Sequence, residues 1–411
     1  MAEPIVQTTA GAVRGETRGG VNRWLGVPYA RADRFAAPEA PRPWHALRDA
    51  TSHGPQCPQA MGGRRRGGGN DPAFGEDCLV ANIFAPADGK GGKPVVVWIH
   101  GGAFMGGSVN PYDGSALAAE GDVVVVAINY RLGILGWANL GEALGLPAIP
   151  SNLGLRDQIA ALEWVRDNVA AFGGDPGRVT IMGQSAGSIS VSLLMHAGPA
   201  RGLFHAAILQ SGAVSLIHSR ERSIEDGRAM AQALGINQGD LDSLRTMDVD
   251  RLLAAQDAAG KAISGGIPTA PWFDGDLLPA SLEAAMAHDV APVPIMAGAT
   301  REEIVLFDLM PGRSILPSKW DELEGLLFSQ LDRDHAQRVL AAYPRSRQGR
   351  IQLASDLTFL MPTRNFAHRH AARHPTWFYR FDHAHPIAGA THGLDLTFAW
   401  PFSGVKMALV R

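Results

Sequence analysis

The chain has 411 residues, a formal net charge of −3, and 46% hydrophobic and 19% charged residues. A charge balance so close to neutral creates no overall field that would attract nucleic acid, and no run of about twenty apolar residues could span a bilayer. The composition is therefore that of a globular protein without nucleic-acid or membrane partners, and the chain is long enough to form a sizeable core.

The amino-terminal residues 1–4 lack the basic and apolar regions of a secretory signal, so we expect a cytoplasmic protein. An arginine cluster at 64–66 runs directly into three glycines, a pattern typical of a solvated loop. Cys57 and Cys78 are the only 2 cysteines. They are too few to staple a chain of this size, so a hydrophobic core must supply its stability.

Apolar runs of strand length alternate with longer segments of helical period. Runs such as VVVWIH and VVVVAIN are apolar at nearly every position, which is typical of parallel strands buried on both faces. The segment at 152–173 has apolar residues at helical spacing and ends at the pair Gly173-Gly174, a plausible helix end. The pattern predicts an α/β fold with a mostly parallel central sheet flanked by helices. Strands are predicted at 94–100, 122–130, 179–183, 206–210, 293–299 and 376–382.

Two long segments, 223–260 and 318–372, are helical in pattern without clear strands. We expect them to be helical excursions over the carboxyl edge of the sheet, where open α/β sheets hold their sites. Glycine-rich stretches at 62–69 and 89–92 indicate surface connections. Since neither an internal repeat nor a linker is evident, residues 1–411 are predicted to form a single domain.

A candidate nucleophile follows the strand predicted at 179–183. The sequence G-Q-S-A-G at 183–187 places Ser185 between that strand and a helical segment, the context of a nucleophile elbow. The bare pattern is weak in a chain with 48 glycines. The alternative is a glycine-rich turn whose serine caps a helix. A capping serine needs neither a distant base nor converging amides, so the remaining motifs distinguish the two interpretations.

A candidate oxyanion hole follows the strand predicted at 94–100. The sequence HGGAF at 100–104 has small residues that let backbone N–H groups converge on a developing negative charge. Gly102 and Ala103 are the predicted donors, together with Ala186, which follows the candidate nucleophile.

Several motifs in one order resemble the type B carboxylesterases, and are similar to bacterial p-nitrobenzyl esterases in particular. They are HGGAF, AINYRLGILGW, EDCLVANIFAP and the long segment that ends in GQSAG. The resemblance runs nearly end to end, from VRG and GVPYA to a histidine segment near the carboxyl terminus. It implies the α/β-hydrolase fold and a serine carboxylesterase that acts on small-molecule esters through an acyl-enzyme, with no cofactor and no metal.

The order Ser, then acid, then His places the other two triad members downstream of Ser185. The resemblance assigns the acid to Glu303, at the end of VPIMAGATREE. Ile304 stands where the family usually has glycine, so the neighbouring Glu302 stays a competitor. The general base is predicted to be His392, in the loop ATHGLDL.

Other functions stay open at this point. The same triad could hydrolyse amides or carbamates or transfer acyl groups, and a non-catalytic binding module can share the fold. The intact triad argues against a binding module. Natural substrate and oligomeric state are not predicted by the sequence.

The resemblance also implies architectural roles. Arg131 with Asp157, and Arg34 with Glu76, correspond to ion pairs of the family, and Ser211 to a supporting serine behind the site. Cys57 and Cys78 match a disulfide of secreted relatives, although reduced thiols are equally compatible with the sequence. The chain ends 19 residues after His392, where relatives usually continue through further helices, so the domain is expected to be short and either less stable or self-associating.

Overall fold

The computed structural model describes residues 3–59, 74–262, 267–309 and 316–400. The predicted loop at 62–69 and the arginine cluster at 64–66 therefore lie outside the described residues. None of the described helices is both long and apolar enough to cross a membrane.

Most of the strands belong to one large sheet. The strands are β1 (Ile5–Gln7), β2 (Ala12–Arg14), β3 (Glu16–Arg18), β4 (Val21–Pro28), β5 (Arg48–Asp49), β6 (Val80–Pro86), β7 (Lys93–Ile99), β8 (Val124–Ile128), β9 (Gly174–Gln184), β10 (Ala206–Gln210), β11 (Ile295–Thr300) and β12 (Thr376–Phe381).

Nine of the described strands form the central sheet, in the order β12-β11-β10-β9-β7-β8-β6-β4-β3. Neighbouring strands from β12 to β8 are parallel, and β6, β4 and β3 extend the sheet as antiparallel strands. The short strands β1, β2 and β5 make a separate sheet. The predicted α/β architecture with a mostly parallel central sheet is confirmed.

Helices connect the strands and cover the sheet. They are α1 (Ser115–Gly121), α2 (Gly133–Gly136), α3 (Leu140–Ala143), α4 (Leu153–Asn168), α5 (Ala186–His196), α6 (Arg220–Leu234), α7 (Leu241–Thr246), α8 (Val249–Ala262), α9 (Leu282–Ala287), α10 (Val305–Leu309), α11 (Trp320–Gln330), α12 (Arg333–Ala341), α13 (Arg347–Ser355), α14 (Met361–Ala371) and α15 (Leu396–Ala399). A π-helical segment, Asp356–Leu360, joins α13 to α14.

The core lies on both faces of the sheet. Along β7, Val95 and Val97 pack into the larger cluster, while Trp98 packs into a second cluster on the other face. Alternating side chains of a strand point to opposite faces, so apolar residues at successive positions are what two covered faces require. The nonpolar runs from which the parallel strands were predicted are thus explained by burial on both sides.

The two helical excursions lie where strands end. Helices α6 and α8 pack around Ile134 of α2, which follows the carboxyl end of β8. Helices α11, α12 and α13 pack around Ile304, which follows the carboxyl end of β11. The helix predicted at 152–173 is α4 followed by a 3-10 turn, and it ends at Gly173 with a left-handed φ of 88°.

Candidate active site

Ser185 lies at the turn between β9 and α5, with φ 58° and ψ −127°. A residue with a side chain rarely adopts this backbone conformation, and such strain is typical of a nucleophile elbow. The neighbouring glycines are required by close approach of the backbone. A Cβ on Gly183 would lie 2.4 Å from the carbonyl carbon of Gly187, and one on Gly187 would lie 2.0 Å from the carbonyl oxygen of Ile99. The elbow therefore fits only with glycine on both sides.

The predicted oxyanion donors lie around the same cavity as Ser185. Gly102 and Ala103 form the turn after β7, and their backbone N–H groups donate to no acceptor in the described part of the chain. Ala186 is the first residue of α5, so its N–H has no helical acceptor four residues earlier. The turn is fixed by Gly102, whose carbonyl accepts from the N–H groups of Met105 (3.0 Å) and Gly106 (2.9 Å).

His392 also lines this cavity, and Glu303 contacts its imidazole. Oε2 of Glu303 lies 2.5 Å from Nδ1 of His392, and its other oxygen accepts the N–H of Thr300 at 2.7 Å. Glu303 is completely buried and His392 nearly so. The imidazole packs against the rings of Phe307 (5.2 Å between centroids) and Phe359 (4.6 Å), which also stack on each other. Packing and the carboxylate together fix the plane of the ring, which lines the cavity.

Glu302 lies beside Glu303 in sequence but acts elsewhere. Its Oε2 accepts the backbone N–H of Ala390 at 2.9 Å, and Oε1 accepts the amide of Gln348 at 3.1 Å. Partial burial alone would raise the pKa of Glu302. The hydrogen bond from Ala390 helps to hold this pKa below its ordinary value. Glu302 thus fixes the loop that carries His392, whereas Glu303 contacts the ring itself.

Two further polar residues of the site were not predicted from the sequence. Gln184, the last residue of β9, places its side-chain Nε2 3.1 Å from Nε2 of His392. Asp395 is buried and accepts the amide of Gln210 at 3.0 Å. Burial, and then the neighbouring Glu303, raise the pKa of Asp395 to about 6. The only signals in the sequence were the position of Gln184 next to Ser185 and that of Asp395 three residues after His392.

The cavity has a volume of about 320 Å³ and is mostly apolar. Phe104, the last residue of the HGGAF motif, lines it and packs against Trp137 at 4.8 Å between centroids. The remaining apolar lining residues include Ile189, Leu216, Ile267, Leu306, Leu316 and Leu394. In the described part of the chain, no cluster of three or more His, Cys, Asp or Glu side chains is arranged to hold a metal ion.

Ser211 was expected to give a supporting hydrogen bond, but its side chain forms none within the described part of the chain. Its Oγ is buried without a partner among the described residues, and its backbone N–H donates to Gly298 at 2.8 Å. The His100 ring holds its own loop in place, because it stacks on Tyr130 at 4.5 Å between centroids and its Nδ1 lies 2.9 Å from the carbonyl oxygen of Gly101. Burial lowers the pKa of His100 to about 4, so this imidazole is neutral at physiological pH.

The predicted ion pairs are both present. Arg131 and Asp157 are buried, with Nε and Nη2 of the arginine 2.8 and 2.7 Å from the carboxylate oxygens. Arg34 and Glu76 pair in a more open position, where the Glu76 side chain is 36% exposed. Cys57 and Cys78 are both buried free thiols, so the structure has the reduced form of the two that the sequence left open.

Comparison with known proteins extends these observations. The profile of the Carboxylesterase family matches residues 2–408. The chain is 40% identical to the Para-nitrobenzyl esterase of Bacillus subtilis (strain 168), over 97% of this chain and 83% of that protein. It is 34% identical to Carboxylesterase 4A of Bos taurus, over 98% and 82%. A solved PNB esterase structure superposes with a TM-score of 0.89, at 40% identity, over 97% of this chain and 83% of that one.

Proposed function

Because this chain belongs to the Carboxylesterase family and is a serine carboxylic ester hydrolase, we propose that Ser185 is its nucleophile, His392 its general base and Glu303 the acid that orients the base. The observation that carries the assignment is the 2.5 Å contact between Glu303 Oε2 and His392 Nδ1, at the cavity that Ser185 lines. The N–H groups of Gly102 and Ala103, which donate to no acceptor among the described residues, lie at that cavity and support the same assignment.

The chemistry follows from these positions. His392 Nε2 takes the proton of the Ser185 hydroxyl while Oγ attacks the ester carbonyl carbon. The N–H groups of Gly102, Ala103 and Ala186 hold the oxyanion that forms. Glu303 keeps the ring in the tautomer with its proton on Nδ1 and stabilises the imidazolium. The imidazolium then protonates the leaving alcohol, and water, activated by the same imidazole, hydrolyses the acyl-enzyme.

The substrate and location are part of the proposal. The apolar cavity of about 320 Å³ suits a small-molecule ester with an uncharged acyl group. Two buried free thiols suit a reducing compartment, so we place the enzyme in the bacterial cytoplasm. Cell fractionation followed by an esterase assay on each fraction would test that location.

Turnover of a p-nitrophenyl ester series by Ser185→Ala and Ser211→Ala tests the assignment. Loss of the nucleophile is expected to lower kcat by at least about 10⁴-fold. Ser211→Ala is the matched control, because its Oγ makes no hydrogen bond in the described structure, and it should keep kcat within about tenfold of the wild type. Undiminished turnover in Ser185→Ala would reject the proposal.

A further inference from the structure

The nitrogen of His392 that must accept a proton is engaged by Gln184. The Gln184 Nε2 to His392 Nε2 distance is 3.1 Å, and the structure has no hydrogen bond between this nitrogen and the Ser185 hydroxyl among its described residues. Because Nδ1 faces the Glu303 carboxylate at 2.5 Å, the neutral ring has its proton on Nδ1 and its lone pair on Nε2. The amide of Gln184 is therefore the donor and His392 the acceptor.

Gln184 is held in this position by its surroundings. It is the last residue of β9, is 4% exposed, and pairs in register with Gln210 of β10. Its Oε1 lies against the oxyanion loop, where a Cβ on Gly101 would come within 3.2 Å. Its amide reaches the histidine loop, 3.7 Å from the Cβ position of Gly393. The side chain thus bridges the loop that follows β7 and the loop that carries the base.

A donor directed at Nε2 favours the neutral imidazole, since an imidazolium would place a second N–H against it. Acidic groups on the surrounding elements also face His392, and they oppose this preference for the neutral imidazole. Glu303 approaches from the end of β11, and Asp395 acts on the ring from the start of α15. Tyr379 of β12 interacts with Asp395. Glu303 favours the imidazolium, as does Asp395 at a pH above its pKa of about 6, and the Gln184 amide opposes them.

We propose that Gln184 is a positioning residue, whose amide holds His392 neutral in the resting enzyme and releases Nε2 when the ring accepts the Ser185 proton. This inference rests on the proposed function. In the step, the amide N–H to Nε2 hydrogen bond breaks and the Ser185 O–H proton moves to Nε2. The Oγ electron pair forms the bond to the ester carbon, while the C=O π bond breaks and its electron pair moves onto the carbonyl oxygen. The amide itself neither gains nor loses a proton. The consequence of the hydrogen bond from Gln184 is that the base stays neutral, and the enzyme active, at lower pH.

The acidic limb of the kcat/KM pH profile tests the proposal with two substitutions. Gln184→Glu is isosteric and puts a carboxylate beside Nε2, so the midpoint of the acidic limb should rise by about one pH unit or more. Gln184→Met removes the donor without adding charge, so its midpoint should lie between those of the wild type and Gln184→Glu.

The matched control is Gln158→Met. Gln158 is also fully buried, but its amide donates to Ser190 Oγ at 3.0 Å rather than to the site. Its loss should lower the melting temperature and leave the pH midpoint unchanged. The proposal would be overturned if the pH profiles of the wild type, Gln184→Glu and Gln184→Met superimposed. It would also be overturned if the midpoint of Gln184→Met lay below that of the wild type. Activity surviving in Ser185→Ala would instead indicate failure of the proposed triad, whatever the Gln184 variants do.

Discussion

Glu302 accepts a 2.9 Å hydrogen bond from the backbone N–H of Ala390, two residues before His392. The next residue in the chain, Glu303, contacts the imidazole of His392 directly. Two adjacent carboxylates therefore have separate tasks, since one fixes the loop and the other fixes the ring within it. We therefore expect the glutamine variants of Glu302 and Glu303 to differ in their effect on kcat.

Glu303→Gln is expected to lower kcat by about 10³–10⁴-fold, because an amide cannot hold the tautomer or balance the imidazolium. Glu302→Gln retains an oxygen that can accept from Ala390, so kcat should fall less than about tenfold. Steady-state kinetics of the two variants at one pH makes the comparison. A larger loss in Glu302→Gln would move the assignment of the triad acid to Glu302.

Gly187→Ala is expected to destabilise the fold by about 3 kcal/mol or more, because overpacking in a dense interior forces backbone shifts. Its Cβ would lie 2.0 Å from the carbonyl oxygen of Ile99 and 2.9 Å from that of His100. The control is Gly198→Ala, where a Cβ meets nothing within 4 Å and the melting temperature should hardly change. Differential scanning calorimetry and an esterase assay on both variants measure the effect. A Gly187→Ala variant with the melting temperature and activity of the wild type would contradict the close packing described above.

Asp157→Leu leaves the buried guanidinium of Arg131 without its carboxylate partner and is expected to cost about 3–5 kcal/mol of stability. The double variant Arg131→Met with Asp157→Leu removes both charges and should recover part of that loss. Urea unfolding of the wild type, both single variants and the double variant measures the coupling free energy. Additive effects in this cycle would indicate that the pair does not stabilise the fold as a unit.

Asp395→Asn is expected to change how stability depends on pH. The folded-state pKa of Asp395 is raised to about 6 by burial and by Glu303. A raised pKa in an acid means that the proton stabilises the fold, so this contribution is complete below about pH 4 and lost as the pH rises through 6. Near pH 8 the loss amounts to roughly 2–3 kcal/mol. An asparagine has no charge to bury.

Urea unfolding of wild type and Asp395→Asn at about pH 4 and pH 8 measures that loss. The variant should match the wild type at the lower pH and exceed its stability at the higher one. Gln210, whose Oε1 is buried without a partner in the described structure, can accept from the new amide. A stability difference that is the same at both pH values would contradict the raised pKa.

The central strands were predictable because burial on both faces leaves an unbroken apolar run, and β10 spans the predicted range. The strands before β7 were not predicted. β1, β2, β3 and β5 have two or three residues each, too few to establish an alternating pattern. β4 bends at a register shift between Trp24 and Val27, which interrupts its alternation.

The site could be predicted only in part. Motif order and resemblance point to Ser185 and His392, whereas spacing alone does not separate Glu302 from Glu303. The structure brings Glu303 to the ring because Glu302 is engaged by the backbone at Ala390. Gln184 and Asp395 have no motif of their own, since their roles depend on contacts between residues more than 180 positions apart.

The left-handed backbone of Ser185, φ 58° and ψ −127°, would suit a residue without a side chain better than it suits serine. Ser185→Gly should therefore melt at a higher temperature than the active enzyme while hydrolysing nothing. Selection for catalytic turnover and selection for thermal stability therefore oppose each other at this position. A lineage that lost its need for ester hydrolysis would be free to drift toward glycine there.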